Sequence, residues 1–423
     1  MAVAQTRTLK IGMIGIGVGG AEILPAMETT PGIELVAGAD IVPATLERFQ
    51  ARYPSTRTYL SAEDLCRDPN VEAVWVSTPN RFHAQHTILA AEHGKHVVVE
   101  KPMAISLDEA ERMVEAAERN GVQLLAGHTR AFTLPIRAMR KVIASGRYGQ
   151  LRALNIWAYS DWMLRPRTSD ELDVNQGGGI PYRQGPHQVD TVRLLGGGML
   201  RSVRAGVGQW FAERPIPGYY AAFLEFENGT PVTIVHNGYG YFLGAELVPW
   251  GEDRQRYTAS QRAEIRAALR AGRRDETADK QAMRIGGEQE AAIFRERGER
   301  AWVPEDMGMA IASLDRADLR QSKFGVYIHS DEGKREIDLI SPRETTVTQR
   351  RAELEELYNA VVGGEPVWHD GRWGMATLEV CLAMLESARE HREVRLQHQV
   401  PVRDDYDRDL QLPGLLEAAG SSS

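Results

Sequence analysis

Residues 9–20 read LKIGMIGIGVGG, an apolar run that ends in Gly15, Gly17 and Gly20 spaced G-x-G-x-x-G. Leu9 to Ile14 predicts a strand, the glycines predict a turn, and Ala21 to Thr29 predicts the start of a helix. In a turn of this kind the first glycine permits the tight bend, the second lets the backbone approach a pyrophosphate, and the third lets helix and strand pack closely. The helix N-terminus offers free N–H groups and a partial positive charge to phosphates, and Val18, between the glycines, is expected at the cofactor with them. Asp40 lies twenty residues after Gly20, at the end of the next apolar run, Ile33 to Ala39. A carboxylate there accepts hydrogen bonds from both ribose hydroxyls and repels a 2'-phosphate, which favours NAD; Arg48 in the following helix leaves NADP open. The plain alternative is a glycine turn that holds no ligand, and the strand, helix and acid standing together argue against it.

Outward from that turn, short apolar runs alternate with helical segments. Val71 to Ser77, His96 to Glu100 and Val122 to Ala126 are near-continuously apolar, as strands buried on both faces are, and helices are expected at about 84–93 and 107–120. The reading is an α/β chain with an N-terminal Rossmann domain, a doubly wound parallel sheet, over residues 1–127. After it the strands lengthen and alternate, at Ala153 to Tyr159, Ala221 to Phe226, Pro231 to Asn237 and Gly325 to His329. These predict an α+β domain over 128–400 with a large, open, mostly antiparallel sheet that binds substrate and carries the oligomer contact. Residues 252–300 are dense in Arg, Glu and Asp and too poor in apolar residues for a core helix, so they read as a solvated helical insertion, with a lid or an oligomer contact as the functional alternative. Ala352 to Val362 and Trp373 to Glu390 have helical periodicity, and 401–423 is taken as a C-terminal tail that ends frayed.

At 423 residues the chain is long for one core and comfortable for two. A net charge of -8 leaves no overall positive excess to hold a phosphate polymer, which argues against nucleic acid, whereas a small anion needs only local arginines. Cys66 and Cys381 form neither a disulfide framework nor a metal-type cluster, and no metal is expected. With no secretion-type apolar core near the start and no run of membrane-spanning length, a cytoplasmic protein with no membrane partner is expected.

The third apolar run ends in Ser77-Thr78-Pro79-Asn80, with His83 one turn into the next helix. At the carboxyl edge of a parallel sheet this loop lies beside the cofactor's ribose or nicotinamide, although Asn80 also reads as a plain N-cap and His83 as a helix-surface residue. Glu100-Lys101-Pro102 ends the fourth run, and Glu100 and Lys101 are expected beside the cofactor. Lys101 at that edge faces the ligand crevice, where its ammonium can polarise a substrate oxygen; the bland reading is a surface lysine paired with Glu100. His187 and Asp190, in GPHQVD, sit three apart and share a helix face, with Asp190 expected to contact substrate, His187 suited to exchange a proton near neutral pH, and a buried structural histidine as the alternative for His187.

These stretches together resemble the Gfo/Idh/MocA oxidoreductases: GIGVGG, STPNRFHAQHTILAAEHGKHVVVEKPMA, AGHTRAF, GPHQVD and DGRWGMATLEVCLAMLESARE, with GKHVVVEKP the specific part. The resemblance covers nearly the whole chain and implies a nicotinamide cofactor, a small-molecule substrate, Lys101 and His187 as the proton-transfer pair, and a homodimer or homotetramer built on the exposed sheet. Many sugar and inositol members carry an aspartate four residues before the histidine, where this chain has Arg183. An arginine is no general base but grips a carboxylate through two parallel hydrogen bonds, so the departure points to an anionic substrate; Arg165 and Arg167 are candidates for a second anchor. The context YRQGPHQ and the charged insertion are similar to the branch associated with phthalate 4,5-cis-dihydrodiol dehydrogenase. A sugar, glycoside or inositol dehydrogenase is the first alternative, and a non-catalytic nucleotide-binding protein the second.

Overall fold

In the computed structural model, which describes residues 7–251, 255–288, 302–304, 307–339, 346–408, 410 and 412, the first strand is β1, Leu9–Ile14. It is buried on both faces and pairs in parallel with β2, Ile33–Ala39, and with β4, Ala73–Val76. With β3, Arg57–Tyr59, β5, His96–Glu100, and β6, Leu124–Gly127, it makes a six-stranded parallel sheet ordered β3-β2-β1-β4-β5-β6. The strand order reverses at β1 and β4, and ligands of open parallel sheets bind beyond the carboxyl ends of strands at such a reversal. The edge strand β3 was not expected: three residues, one of them an exposed arginine, carry no apolar signature.

The second sheet has nine strands: β7 Leu151–Tyr159, β8 Leu200–Gly208, β9 Tyr219–Phe226, β10 Pro231–Asn237, β11 Met309–Leu314, β12 Ala317–Gln321, β13 Gly325–Ser330, β14 Gly333–Asp338 and β15 Val394–Arg395. All its pairs are antiparallel except β10 with β7. One face carries the second core, which includes Ile156, Tyr220, Ile234 and Leu319, and covers it with the helices Leu134–Ala144 and Gly185–Gly196. On the other face Trp157 and Phe223 are exposed.

Three segments depart from the expected organisation. The helix Thr346–Gly363 returns to the first domain, where Leu354 and Leu357, fully buried, share a core with Leu9 and Ile11 of β1. A single cut at residue 127 therefore does not separate the two cores. The charged insertion forms the helices Ala259–Arg270 and Glu276–Ala282, yet it is not merely a solvated appendage. Leu269 joins the core of the second domain, and Ile285, 2 % exposed, joins Ile16 and Phe49 in the core of the first. A few well-spaced apolar residues suffice to anchor a segment that charge density alone marks as surface. Residues 252–254 and 289–300 of that insertion lie outside the described residues, as does GLLEAAGSSS. Finally, the chain just after residue 400 is no loose tail: Val402 and Tyr406 are buried, Val402 N–H donates to Gly197 O at 2.9 Å, and the Tyr406 hydroxyl lies 3.1 Å from His369 Nε2.

Candidate active site

A cleft of about 1720 Å³ opens at the carboxyl ends of β1, β2, β4 and β5 and is closed on its far side by the second domain. Small-ligand pockets usually hold about 300–1,000 Å³, so a dinucleotide and a second molecule can share this one. Gly15, Gly17, Val18, Asp40, Thr78 and Pro79 border it.

The glycine turn has the clearances a pyrophosphate requires. Gly15 has φ +91°, and a Cβ there would sit 2.9 Å from the backbone of Ser77 and Thr78. Gly20 does not border the cleft; a Cβ on it would lie 2.3 Å from Gly15 O, so it is the close-packing glycine of the three. Gly17, by contrast, faces open space with nothing within 4 Å of a Cβ, which is where backbone can approach a ligand. Asp40 closes the turn: its Oδ2 accepts from Ile16 N–H and its Oδ1 from Val42 N–H, both at 2.9 Å. A carboxylate offers about four lone-pair sites, so lone pairs remain on both oxygens for ribose hydroxyls. Arg48 lies against Gly286 of the insertion, whose Cβ would be 3.1 Å from Arg48 Cδ, and is not among the residues bordering the cleft.

Asn80 and His83 also border the cleft, but their polar atoms face protein. His83, fully buried, has Nδ1 2.8 Å from Pro102 O and Nε2 2.7 Å from Thr78 O. With both ring nitrogens spent on main chain it ties the loop after β4 to the loop after β5, a correction to its expected cofactor contact. Asn80 reaches the second domain: its Nδ2 donates to Gly177 O and its Oδ1 accepts from Arg183, both at 2.9 Å. Thr78 Oγ1 stands 3.1 Å from His86 Nδ1.

Glu100 takes Arg350, from the returning helix, at 2.8 Å. Lys101 Nζ donates to the main-chain oxygen of Arg183 at 2.8 Å. That bond carries the lysine across to the second domain, one helical turn before His187. The helix Gly185–Gly196 begins with Pro186 in its first turn, where a missing N–H costs nothing, and this start sets His187 at the cleft wall, 8 % exposed. Lys101 and His187 thus border one cleft with the glycine turn.

Asp190 does not reach it. It is fully buried, accepts from Trp373 Nε1 at 2.5 Å and lies 3.5 Å from His128 Nδ1. Three residues along a helix advance it about 4.5 Å from His187, enough to carry it from the cleft wall into the core, so its expected contact with substrate is corrected to a supporting role. Burial pushes His128 down to about 4, against the pull of Asp190, and leaves that ring neutral.

The arginines divide in a similar way. Arg183 borders the cleft and donates from Nη1 to Asn80 and from Nη2 to Glu171 Oε1, each at 2.9 Å. Arg165 pairs with Asp161 at 2.8 Å. Arg167, the other candidate anchor, borders the cleft but is buried: it stacks 3.6 Å from the Trp162 ring centroid and donates to Trp162 O and Glu171. Burial lowers it to about 9, which still leaves it charged at neutral pH. Burial alone would raise Glu171, but Arg167, Arg183 and Lys280 overcome it and hold this carboxyl well below the usual carboxylate range.

Some bordering residues were not anticipated. Arg130 donates to Gln349 at 3.3 Å, and both line the cleft; Arg130 sits within AGHTRAF, a stretch already singled out, so a signal existed. Lys280 of the insertion gave none, since a lysine in a charged helix is ordinarily solvated. Among the described residues no three His, Cys, Asp or Glu side chains group to hold a metal ion, and no helix is long and apolar enough to cross a membrane.

Residues 9–128 match the oxidoreductase family with the NAD-binding Rossmann fold, and residues 136–242 match the GFO/IDH/MocA C-terminal domain. The chain belongs to the Gfo/Idh/MocA oxidoreductases. It is 33% identical over 389 residues, 90% of this chain and 95% of the relative, to 1-carboxy-3-chloro-3,4-dihydroxycyclo hexa-1,5-diene dehydrogenase of Comamonas testosteroni. A solved structure from Bordetella bronchiseptica RB50 superposes with TM-score 0.83 at 34% identity, covering 92% of this chain and 100% of the other. The fold is shared further with scyllo-inositol dehydrogenase from Lactobacillus casei, solved with NAD(H) and scyllo-inositol, at TM-score 0.63 and 16% identity over 92% and 99% of the two chains. As a Gfo/Idh/MocA member the chain is an NAD(P)-dependent oxidoreductase, and its first domain is the NAD-binding one.

Proposed function

We propose that this oxidoreductase uses NAD to oxidise a carboxylated cyclic cis-diol, with 4,5-dihydro-4,5-dihydroxyphthalate as the substrate that fits best. One observation carries the reading: Lys101 Nζ holds the main chain of Arg183, so the residue that departs from the polyol-binding pattern stands beside the two groups expected to move protons. NAD along the glycine turn supplies the hydride acceptor. The chain's own task is then to orient the ring and take the hydroxyl proton. Lys101 polarises the carbinol oxygen, His187 accepts its proton, and Arg183 holds a ring carboxylate. Loss of hydride from carbon and of the proton from oxygen leaves a ketone, which tautomerises to the aromatic diol. The balance is diol plus NAD⁺ to dihydroxyphthalate, NADH and a proton. Support comes also from the Comamonas testosteroni relative, whose name specifies a carboxy-dihydroxy-cyclohexadiene.

A panel of cyclic polyols and cis-dihydrodiol acids, followed by NADH absorbance, tests the substrate class: faster turnover of inositols or glycosides than of the acids overturns it. On the acid, Arg183→Ala is expected to raise KM about 10–100-fold, the worth of a charged hydrogen bond, with a smaller change in kcat. An unchanged KM removes the anchor. The same reading seats a second copy of the chain on the outer face of the nine-stranded sheet, where Trp157 and Phe223 are exposed. Sedimentation of the protein as a monomer at micromolar concentration, or as an oligomer indifferent to Trp157→Lys, counts against that contact.

A further inference from the structure

Three cations converge on one carboxylate in the wall of the cleft. Glu171 accepts from Arg183 at 2.9 Å and Arg167 at 3.2 Å through Oε1, and pairs with Lys280, whose Nζ lies 3.0 Å from Oε2. Among the described residues no other carboxylate pairs with any of these three cations, so the group keeps a surplus of two positive charges. Buried or half-buried charge of one sign is costly to retain without a counter-charge. The cations are not equivalent. Arg167 is enclosed and spent on protein, whereas Arg183 and Lys280 keep 25% and 19% of their side chains exposed, on the cleft.

Lys280 is also fixed in place. Its helix, Glu276–Ala282, is capped by Asp275, which accepts from Ala278 N–H at 2.9 Å. Glu276 is gripped at the start of that helix by buried Arg214 at 2.5 Å and by Arg167 N–H at 2.6 Å. Past its end, Ile285 is buried in the core of the nucleotide domain. The ammonium therefore waits at the cleft with its side chain already ordered, which lowers the entropic cost of binding an anion.

We propose that Lys280 and Arg183 form a paired subsite for two carboxylates of one ligand, so that the insertion makes this enzyme select an ortho-dicarboxylate ring over a monocarboxylate. The inference rests on the reading of Arg183 as an acid anchor and narrows it. Arg183 spends two of five N–H donors on Asn80 and Glu171, and the Lys280 ammonium has three donors, so each keeps capacity for a ligand oxygen. A dianion brings the two negative charges that the cluster lacks. A monoanion leaves one cation unmatched.

Calorimetry on the enzyme–NADH complex tests this with two aromatic diols, 4,5-dihydroxyphthalate and 3,4-dihydroxybenzoate. The wild-type protein is expected to bind the dicarboxylate more tightly. Lys280→Met keeps the aliphatic stem and leaves Glu171 with both arginines, so the fold is retained, which a melting curve checks. It is expected to weaken the dicarboxylate about 10–100-fold and the monocarboxylate less than about threefold, with Lys280→Arg restoring the preference. Equal affinities in the wild type, or equal losses in Lys280→Met, overturn the subsite. An enzyme that oxidises no carboxylated cis-diol yet shows the preference and its loss would remove the functional reading and sustain this one.

Discussion

The two walls of the cleft are built from different material. The nucleotide-domain wall is main chain and clearance: Gly15 at φ +91°, Gly17 open to the ligand, Gly20 pressed on Gly15 O, and Asp40 braced by two N–H groups. The opposite wall is side-chain charge, with Arg165, Arg167, Arg183 and Lys280 set against Asp161 and Glu171. Backbone suits a group that does not vary, because it cannot be changed one residue at a time. Paired side chains suit a group that does, since each exchange of charge alters what is recognised while the fold persists.

The sharpest way to test this contrast is at the second wall. His187→Ala is expected to lower kcat about 10²–10⁴-fold, the worth of positioned proton transfer, while NADH affinity by fluorescence titration stays within a few-fold. A comparable loss of NADH affinity would show that the walls are not separable. On the first wall the last two glycines of the turn, Gly17 and Gly20, should fail differently. Gly20→Ala forces a methyl to 2.3 Å from a backbone oxygen, and a thermal melt is expected to show about 1–3 kcal/mol of lost stability. Gly17→Ala meets open space, so its melt should stay close to wild type while NADH binding weakens about tenfold, or 1.4 kcal/mol, as the methyl blocks the phosphates. Equal melts for these two variants would break the assignment of packing to one and ligand clearance to the other.

What was legible follows the same division. The glycine turn and Asp40 could be read because their roles depend on neighbours a few residues away and on a strand–turn–helix order that sequence displays directly. The long strands β7, β9 and β10 alternate cleanly because one face is buried and the other is not. Lys101 and His187 were found through their motifs, and the structure adds the bond from Lys101 to the main chain of Arg183, four residues before His187. The Glu171 cluster was not legible. Lys280 lies 109 residues from its partner, and an ion pair at that separation leaves no periodic mark. His83 and Asp190 were misread for one shared reason: a polar residue beside a motif can serve either the ligand or the residues that hold the motif, and only burial distinguishes these. Both proved to be bonded to protein groups.

The helix Thr346–Gly363 lays Leu354 and Leu357 on the same core as Leu9 and Ile11, although more than three hundred residues separate them along the chain. During synthesis, then, the nucleotide half emerges first and stays unfinished, one apolar face bare to solvent until most of the polypeptide has left the ribosome. An apolar face left bare for that interval is prone to aggregation, so the order in which the chain is made exposes the nucleotide half to the greatest risk before its last helix arrives.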